Sequence, residues 1–121
     1  MKAIFIDSKN KSVSYIDIPE GKNHLAEMRK KINCECFCAA GVFKNNDTVY
    51  VDDEGLINGT GDFFILHSLR GEPLAGNALI IGCNEEGDSV DCKTDISQIR
   101  PVFLDKQTVC AIYSMIGSTE N

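Results

Sequence analysis

The sequence predicts a single compact α+β domain, with a mostly antiparallel sheet built from hairpins, one longer helix and one short helix. Its 121 residues are 43% hydrophobic and 25% charged, which is ordinary for one globular domain. Short runs rich in β-branched and aromatic residues alternate with polar turns, and one segment has apolar residues at helical spacing. We expect the domain to span residues 1–116, followed by a frayed tail over residues 117–121.

The first half of the chain predicts two hairpins joined by a helix. The predicted strands, each pair separated by a polar turn, are KAIFID (2–7) with SVSYIDI (12–18) and CECFCAAGVF (34–43) with TVYVDD (48–53). The helix lies between the hairpins, where Leu25, Met28 and Ile32 recur at helical spacing. Asn23 is placed to cap it, and basic residues fill its last turns, where cations complement the helix dipole.

The second half predicts a loop, a third hairpin and a short helix. Residues 54–62 are rich in Gly and Asn, and the apolar run FFILHSL is too short to decide between strand and helix. The remaining predictions are a hairpin of NALIIGCN (77–84) and SVDCKT (89–94), a short helix at DISQIR (95–100) with Asp95 as its cap, and two apolar runs, PVFL (101–104) and TVCAIYSMI (108–116), the latter strand or helix.

The charge distribution argues against nucleic-acid binding. The formal net charge is −6, and residues 61–121 hold nine acidic against four basic residues. A duplex-binding surface needs clustered Lys and Arg, and the only dense basic run here, residues 29–31, fits one face of the predicted helix. An acidic protein that imitates nucleic acid and inhibits a DNA-binding host enzyme is therefore an alternative function.

Three cysteines, Cys34, Cys36 and Cys38, stand at every second position of one predicted strand. On one face of a strand they would span about 13 Å, whereas two thiolates on one zinc lie about 3.7 Å apart. The two-residue spacing typical of zinc sites is absent, so we interpret the three thiols as packed inside the sheet and predict no metal and no cofactor.

A thiol-dependent enzyme is a further alternative, since a nucleophilic cysteine needs a nearby base. The chain has two histidines. Cys38, His67 and Asp62 would be its residues, but no spacing supports them, and we predict no catalytic residue.

Residues 45–90 carry a family resemblance. It rests on Val49 to Asp52, on Glu54 to Leu56 and on Asn77 to Gly82. With residues 1–44 in the same order, the chain resembles the family of small bacterial and phage proteins described as domain of unknown function 3846. The resemblance implies a compact α+β domain, frequent residence in phages or mobile elements, and no assigned catalytic residues.

The absence of a recognisable catalytic set favours a small non-enzymatic binding or accessory protein that engages a host protein or a small ligand. The candidate binding residues lie at acidic turns and at the start of a predicted strand: Asp52, Asp53, Glu54, Asn77, Glu85 and Glu86. No signal-peptide core or membrane span is evident, which predicts a cytoplasmic protein with reduced thiols. An unpaired edge of a small sheet makes a homodimer an additional expectation.

Overall fold

Antiparallel pairing of short strands organises the computed structural model, which describes residues 1–55, 61–69 and 71–119. The elements in chain order are β1 (Lys2–Asp7), β2 (Ser12–Asp17), α1 (His24–Ile32), β3 (Phe37–Val42), β4 (Thr48–Asp52), β5 (Asp62–Ile65), β6 (Leu74–Ala75), β7 (Ala78–Cys83), β8 (Ser89–Val90), a 3-10 helix (Ile96–Gln98), β9 (Val102–Asp105) and α2 (Lys106–Thr119). The strand pairs are antiparallel. The predicted α+β class is confirmed.

The larger of the two sheets has the strand order β2-β1-β7-β4-β3, and β8 pairs with the end of β7. The three predicted hairpins are present as β1–β2, β3–β4 and β7–β8. The β3–β4 pairing shifts register between Ala39 and Gly41, which marks a bulge. In β8, strand geometry covers only Ser89–Val90 of the predicted residues 89–94.

Helix α1 covers one face of the larger sheet. Its residues Met28 and Ile32 are buried against Ala3 of β1 and against Leu79 and Ile81 of β7. The predicted helix is therefore confirmed, and its apolar side is the side that packs on the sheet.

Two details at the start of α1 differ from the prediction. Asn23 occupies the N-cap position, but its side chain makes no capping hydrogen bond. Its carbonyl oxygen instead accepts the backbone N–H of Glu27 at 3.0 Å. Leu25 is 44% exposed although its spacing places it on the apolar face, because it lies in the first turn, one turn before the buried Met28.

A smaller sheet of order β6-β5-β9 covers the opposite face. Successive side chains of β5 point to opposite sides. Phe64 is buried with Ile4 and Ile80 of the larger sheet, whereas Phe63 is buried with Val109 of α2. The domain therefore has four layers in the order α1, larger sheet, smaller sheet and α2.

The two segments that the sequence left ambiguous have different structures. The run FFILHSL continues strand β5 to Ile65 and then enters a turn. The run TVCAIYSMI lies within α2, which continues through position 116 to Thr119. The proposed boundary at residue 116 thus falls inside a helix, and residues 120–121 lie outside the described part of the chain.

The structure corrects the interpretation of the cysteine-rich segment. Strand β3 begins at Phe37, so Cys34 and Cys36 precede it in a bend and do not share a strand face with Cys38. Cys36 is exposed, while Cys34 and Cys38 are half-buried. The expectation that all three thiols pack inside the sheet is therefore wrong, because the chain is still turning out of α1 at these positions.

The short helix at residues 95–100 is a single 3-10 turn, and its predicted cap is confirmed. The Asp95 carboxylate accepts the backbone N–H of Ser97 at 2.9 Å. The same hydrogen bond holds the pKa of Asp95 below its ordinary value. Among the described residues, neither α1 nor α2 is long and apolar enough to cross a bilayer.

A buried carboxylate joins the β3–β4 turn to the segment after β8. Asp47 is 0% exposed. Its oxygens accept the backbone N–H groups of Lys93 at 2.9 Å and Thr94 at 2.7 Å, and the Thr94 hydroxyl at 2.6 Å. Asn45 donates to the same hydroxyl at 3.0 Å. A buried charge is stabilised when donors surround it in this way.

Replacing Asp47 by alanine should lower the free energy of unfolding by about 3 kcal/mol, since several buried N–H and O–H donors would lose their acceptor. Chemical denaturation of Asp47→Ala measures this loss. Asp88→Ala, an exposed acid in the β7–β8 turn, is the matched control and should change stability by about 0.5 kcal/mol or less. Similar losses for the two variants would contradict the role of Asp47.

The four-layer arrangement predicts that α2 packs on the smaller sheet through the side that carries Val109. Val109 is 3% exposed, whereas its neighbour Cys110 is exposed. Val109→Asp should lower the free energy of unfolding by roughly 2 kcal/mol, because it brings a carboxylate against Phe63. Cys110→Asp should have little effect, and thermal unfolding monitored by circular dichroism compares the two. A larger loss of stability for Cys110→Asp would mean that Cys110, and not Val109, faces the smaller sheet.

Candidate functional site

The C-terminus of α1 shapes the candidate site. Asn33 adopts the left-handed conformation, with φ 65°. The backbone N–H groups of Asn33 and Cys34 both donate to the carbonyl oxygen of Arg29, at 2.8 and 3.0 Å. This cap ends the helix and turns the chain toward β3. The last helical turn, with its basic residues, therefore lies beside residues 34–36, which we call the cysteine bend.

A cleft of about 520 Å³ opens at this point, between the end of α1, the cysteine bend and the end of β4. We call it the Asn33 pocket. Its lining combines two cations, three carboxylates and three uncharged polar side chains: Arg29 and Lys30; Glu35, Asp52 and Glu54; and Asn33, Cys34 and Cys36. The pocket can therefore offer both signs of charge to one ligand.

The acidic turn after β4 is held in place by backbone contacts. Glu54 donates its N–H to the Asp52 carboxylate at 2.9 Å, and Asp53 donates its N–H to the Cys36 carbonyl at 3.0 Å. Gly55 follows where space is short, since a Cβ there would lie 2.9 Å from the Cβ of Ala75. The turn thus directs Asp52 and Glu54 toward the Asn33 pocket.

A second cleft, of about 380 Å³, adjoins the first, and both are lined by Asn33 and Asp52. Asn77 also lines it, but its amide is already engaged. Its oxygen accepts the Ser8 N–H and its nitrogen donates to the Lys31 carbonyl, each at 3.3 Å. The Asn77 side chain therefore links α1 to the residue that follows β1.

The predicted binding residues divide between two ends of the larger sheet. Asp52 ends β4, Asp53 and Glu54 follow it, and Asn77 precedes β7, so antiparallel pairing of these strands brings all four to one end. Glu85 and Glu86 lie in the turn after β7, at the opposite end, where both are exposed. The two glutamates do not belong to the Asn33 pocket.

Two thiols near the pocket are poor nucleophiles. Burial, followed by the negative charge of Asp52, raises the pKa of Cys34 to about 11, although Arg29 acts in the opposite direction. Burial and a hydrogen bond to Asp53 raise the pKa of Cys38. Both groups are therefore protonated at neutral pH, and the thiol form is unreactive.

The residues considered for a thiol-dependent enzyme have different surroundings. Cys38 packs against the core between the sheets, His67 is exposed in the turn after β5, and Asp62 lines the second cleft. Within the described ranges, no group of three or more His, Cys, Asp or Glu side chains is arranged to hold a metal ion.

Sequence reasoning missed the cationic side of the pocket. The basic run after position 28 was assigned to the helix dipole, although Arg29 and Lys30 also line the cleft. The available signal was Asn33, because asparagine just past a helix commonly adopts the left-handed conformation and redirects the chain. Asn33 indicates where the helix ends, but it does not indicate which strand lies beside that end.

The thiol environments predict the order of alkylation. With iodoacetamide at about pH 8, the exposed Cys36 and Cys110 should react before Cys34. Since the raised pKa leaves little thiolate, the Cys34 rate should rise about tenfold per pH unit up to about pH 10. Peptide mass spectrometry over time gives each rate. A Cys34 rate that levels off near neutral pH would contradict the assigned environment.

Comparison with known proteins places the chain in a family. Neither a curated protein nor a solved structure gives a significant match. A family model described as "Domain of unknown function (DUF3846)" matches residues 1–104, which include the Asn33 pocket and all of the larger sheet, whereas α2 follows the matched region. The resemblance noted in the sequence is thereby confirmed, and the chain belongs to the DUF3846 family.

Proposed function

We propose that this protein is a non-enzymatic binding module that takes a small zwitterionic ligand in the Asn33 pocket. The observation that supports the proposal is the meeting of opposite charges from separate elements, with Arg29 and Lys30 on α1 and Glu54 after β4. A ligand with an anionic and a cationic group could contact both. Charge-assisted hydrogen bonds of this kind are stronger than those between neutral groups.

The size of the pocket suits a small molecule, since ligand sites commonly occupy about 300 to 1,000 Å³. Its lining is more polar than that of a typical drug-sized site, which favours a charged ligand over an apolar one. The Cys34 thiol supports this, because the charges of both Arg29 and Asp52 act on its pKa. Positive and negative charges therefore lie a short distance apart in the pocket.

The chemistry of the pocket supports binding more than catalysis. A nucleophilic mechanism needs an ionised or base-activated group, but Cys34 has a raised pKa. The acids that line the pocket are Glu35 and Glu54, which are exposed, and Asp52, which ends β4 and is half-buried.

We extend the proposal to the cellular setting. The six cysteines are unpaired in the structure, which supports a reducing compartment such as the cytoplasm. The family resemblance supports an accessory role in a phage or mobile element, where the bound ligand would come from the host cell. A host protein that presents a charged terminus to the same pocket is the alternative partner.

The acidic-decoy alternative gains no support from the charge arrangement. A nucleic-acid mimic would attract a basic partner through a surface of one sign. The acidic groups after β4 and after β7 instead lie at opposite ends of the sheet, and the first of them adjoins Arg29 and Lys30.

Titration with free amino acids and dipeptides tests the proposed ligand class. In ¹⁵N-resolved NMR spectra, a zwitterionic probe should shift the amide signals of Asn33, Cys34 and Glu54. Arg29→Gln and Glu54→Gln should each weaken binding about tenfold, since each removes one charge-assisted contact. Lys31→Gln and Glu86→Gln should bind as the unaltered protein does.

Lys31 is the matched control for Arg29 because it lies in the same helical turn without lining the pocket. Glu86 is the matched control for Glu54 because it is an exposed acid at the far end of the sheet. Shifts located elsewhere, or equal losses in all four variants, would overturn the proposed site. Shifts with anionic but not zwitterionic probes would overturn the ligand class.

A further inference from the structure

Strand β3 forms one edge of the larger sheet. Main-chain hydrogen bonds from the residues that flank β3 show which side of the strand faces β4. The N–H of Phe43 donates to the Asp47 carbonyl at 2.8 Å, and the Cys36 carbonyl accepts the Asp53 N–H at 3.0 Å. The outer side of β3 faces no further strand among the described residues.

Two residues of β3 direct their main-chain groups away from β4. Bonding direction alternates along an antiparallel strand. Since Cys36 and Phe43 bond inward, their neighbours Phe37 and Val42 present N–H and C=O groups to the outside. Val42 is also 60% exposed. The outer edge can therefore accept another strand at both positions.

The β3 edge lacks the charged residues and prolines that commonly protect such an edge. Residues 36–43, CFCAAGVF, contain neither a charged residue nor a proline. The other edge, β2, is partly covered, because the Tyr15 hydroxyl accepts the backbone N–H of Ile96 at 2.8 Å. With a net charge of −6, two copies of the chain would meet most easily at such an uncharged segment.

We propose that β3 pairs antiparallel with β3 of a second copy of this chain, across a two-fold axis between Ala39 and Ala40. In this register Phe37 of each copy lies opposite Val42 of the other, so their outward N–H and C=O groups bond reciprocally. The contact is isologous and closes as a dimer. This inference does not depend on the proposed ligand.

The bulge makes this register possible. Phe37 and Val42 are five positions apart, so in a regular strand their main-chain groups would point in opposite directions. The register shift between Ala39 and Gly41 inserts one residue and turns both outward. The same feature that interrupts the pairing with β4 thus matches the strand to its own copy.

Charge complementarity selects the second copy as the partner. The residues that flank the uncharged segment are Glu35 and Lys44, and both are exposed. Neither forms an ion pair with another described residue. Glu35 lies in the bend just before β3 and Lys44 in the turn just after it, so the register that pairs Phe37 with Val42 brings Glu35 of each copy close to Lys44 of the other. Opposite charges in this position stabilise strand pairing.

A charge swap tests the dimer and its register together. Sedimentation velocity across a concentration series should show a reversible dimer. Lys44→Glu and Glu35→Lys should each raise the dimer dissociation constant about tenfold, since each places like charges opposite one another twice. The double variant Glu35→Lys/Lys44→Glu should restore it. Without that restoration, the proposed register is overturned.

A second pair of variants tests the edge itself. Val42→Lys should abolish the dimer, whereas Val102→Lys should leave it intact, because Val102 is a 44% exposed valine on the smaller sheet. Both sites are exposed, and circular dichroism confirms that each variant is folded. A protein that stays monomeric at all concentrations, or a dimer that tolerates Val42→Lys, would overturn the proposal.

Discussion

Burial of strand β7 on both faces is the constraint on which the four-layer arrangement depends. Its residues from Ala78 to Gly82 are all buried. Leu79 and Ile81 face α1, whereas Ala78 and Ile80 face the smaller sheet. A strand with apolar side chains on both faces must be covered twice. The positions of α1 and of the smaller sheet both follow from this one strand.

The same strand also determines where the candidate site forms. Because β4 and β7 run antiparallel, the chain leaves β4 where it enters β7, and the acidic turn meets Asn77 there. The link from Asn77 to the Lys31 carbonyl ties the end of α1 to that position. The cap at Asn33 then exposes the basic turn of the helix to the carboxylates. The Asn33 pocket is thus a consequence of strand direction and helix termination together.

The sequence predicts the hairpins and α1 well because each has a regular apolar period or a turn signal. It fails at Cys34 and Cys36, where alternation imitates a strand but the helix cap still bends the chain. Asp47 looks like a solvated turn acid in KNND, since its buried donors come from residues 93–94. The sequence proposes Asp52 and Glu54, which line the Asn33 pocket, but not Arg29, which lines it too, because the meeting of these residues depends on tertiary contact.

Helix α2 differs from the other layers in its relation to the family. It follows residues 1–104, which match the family model, yet it buries Phe63 and Ala75 of the smaller sheet. A relative whose sequence diverges after this point must cover the same apolar surface by another means or make it polar. Residues 1–104 alone would therefore expose an apolar surface on the smaller sheet that α2 covers in this chain.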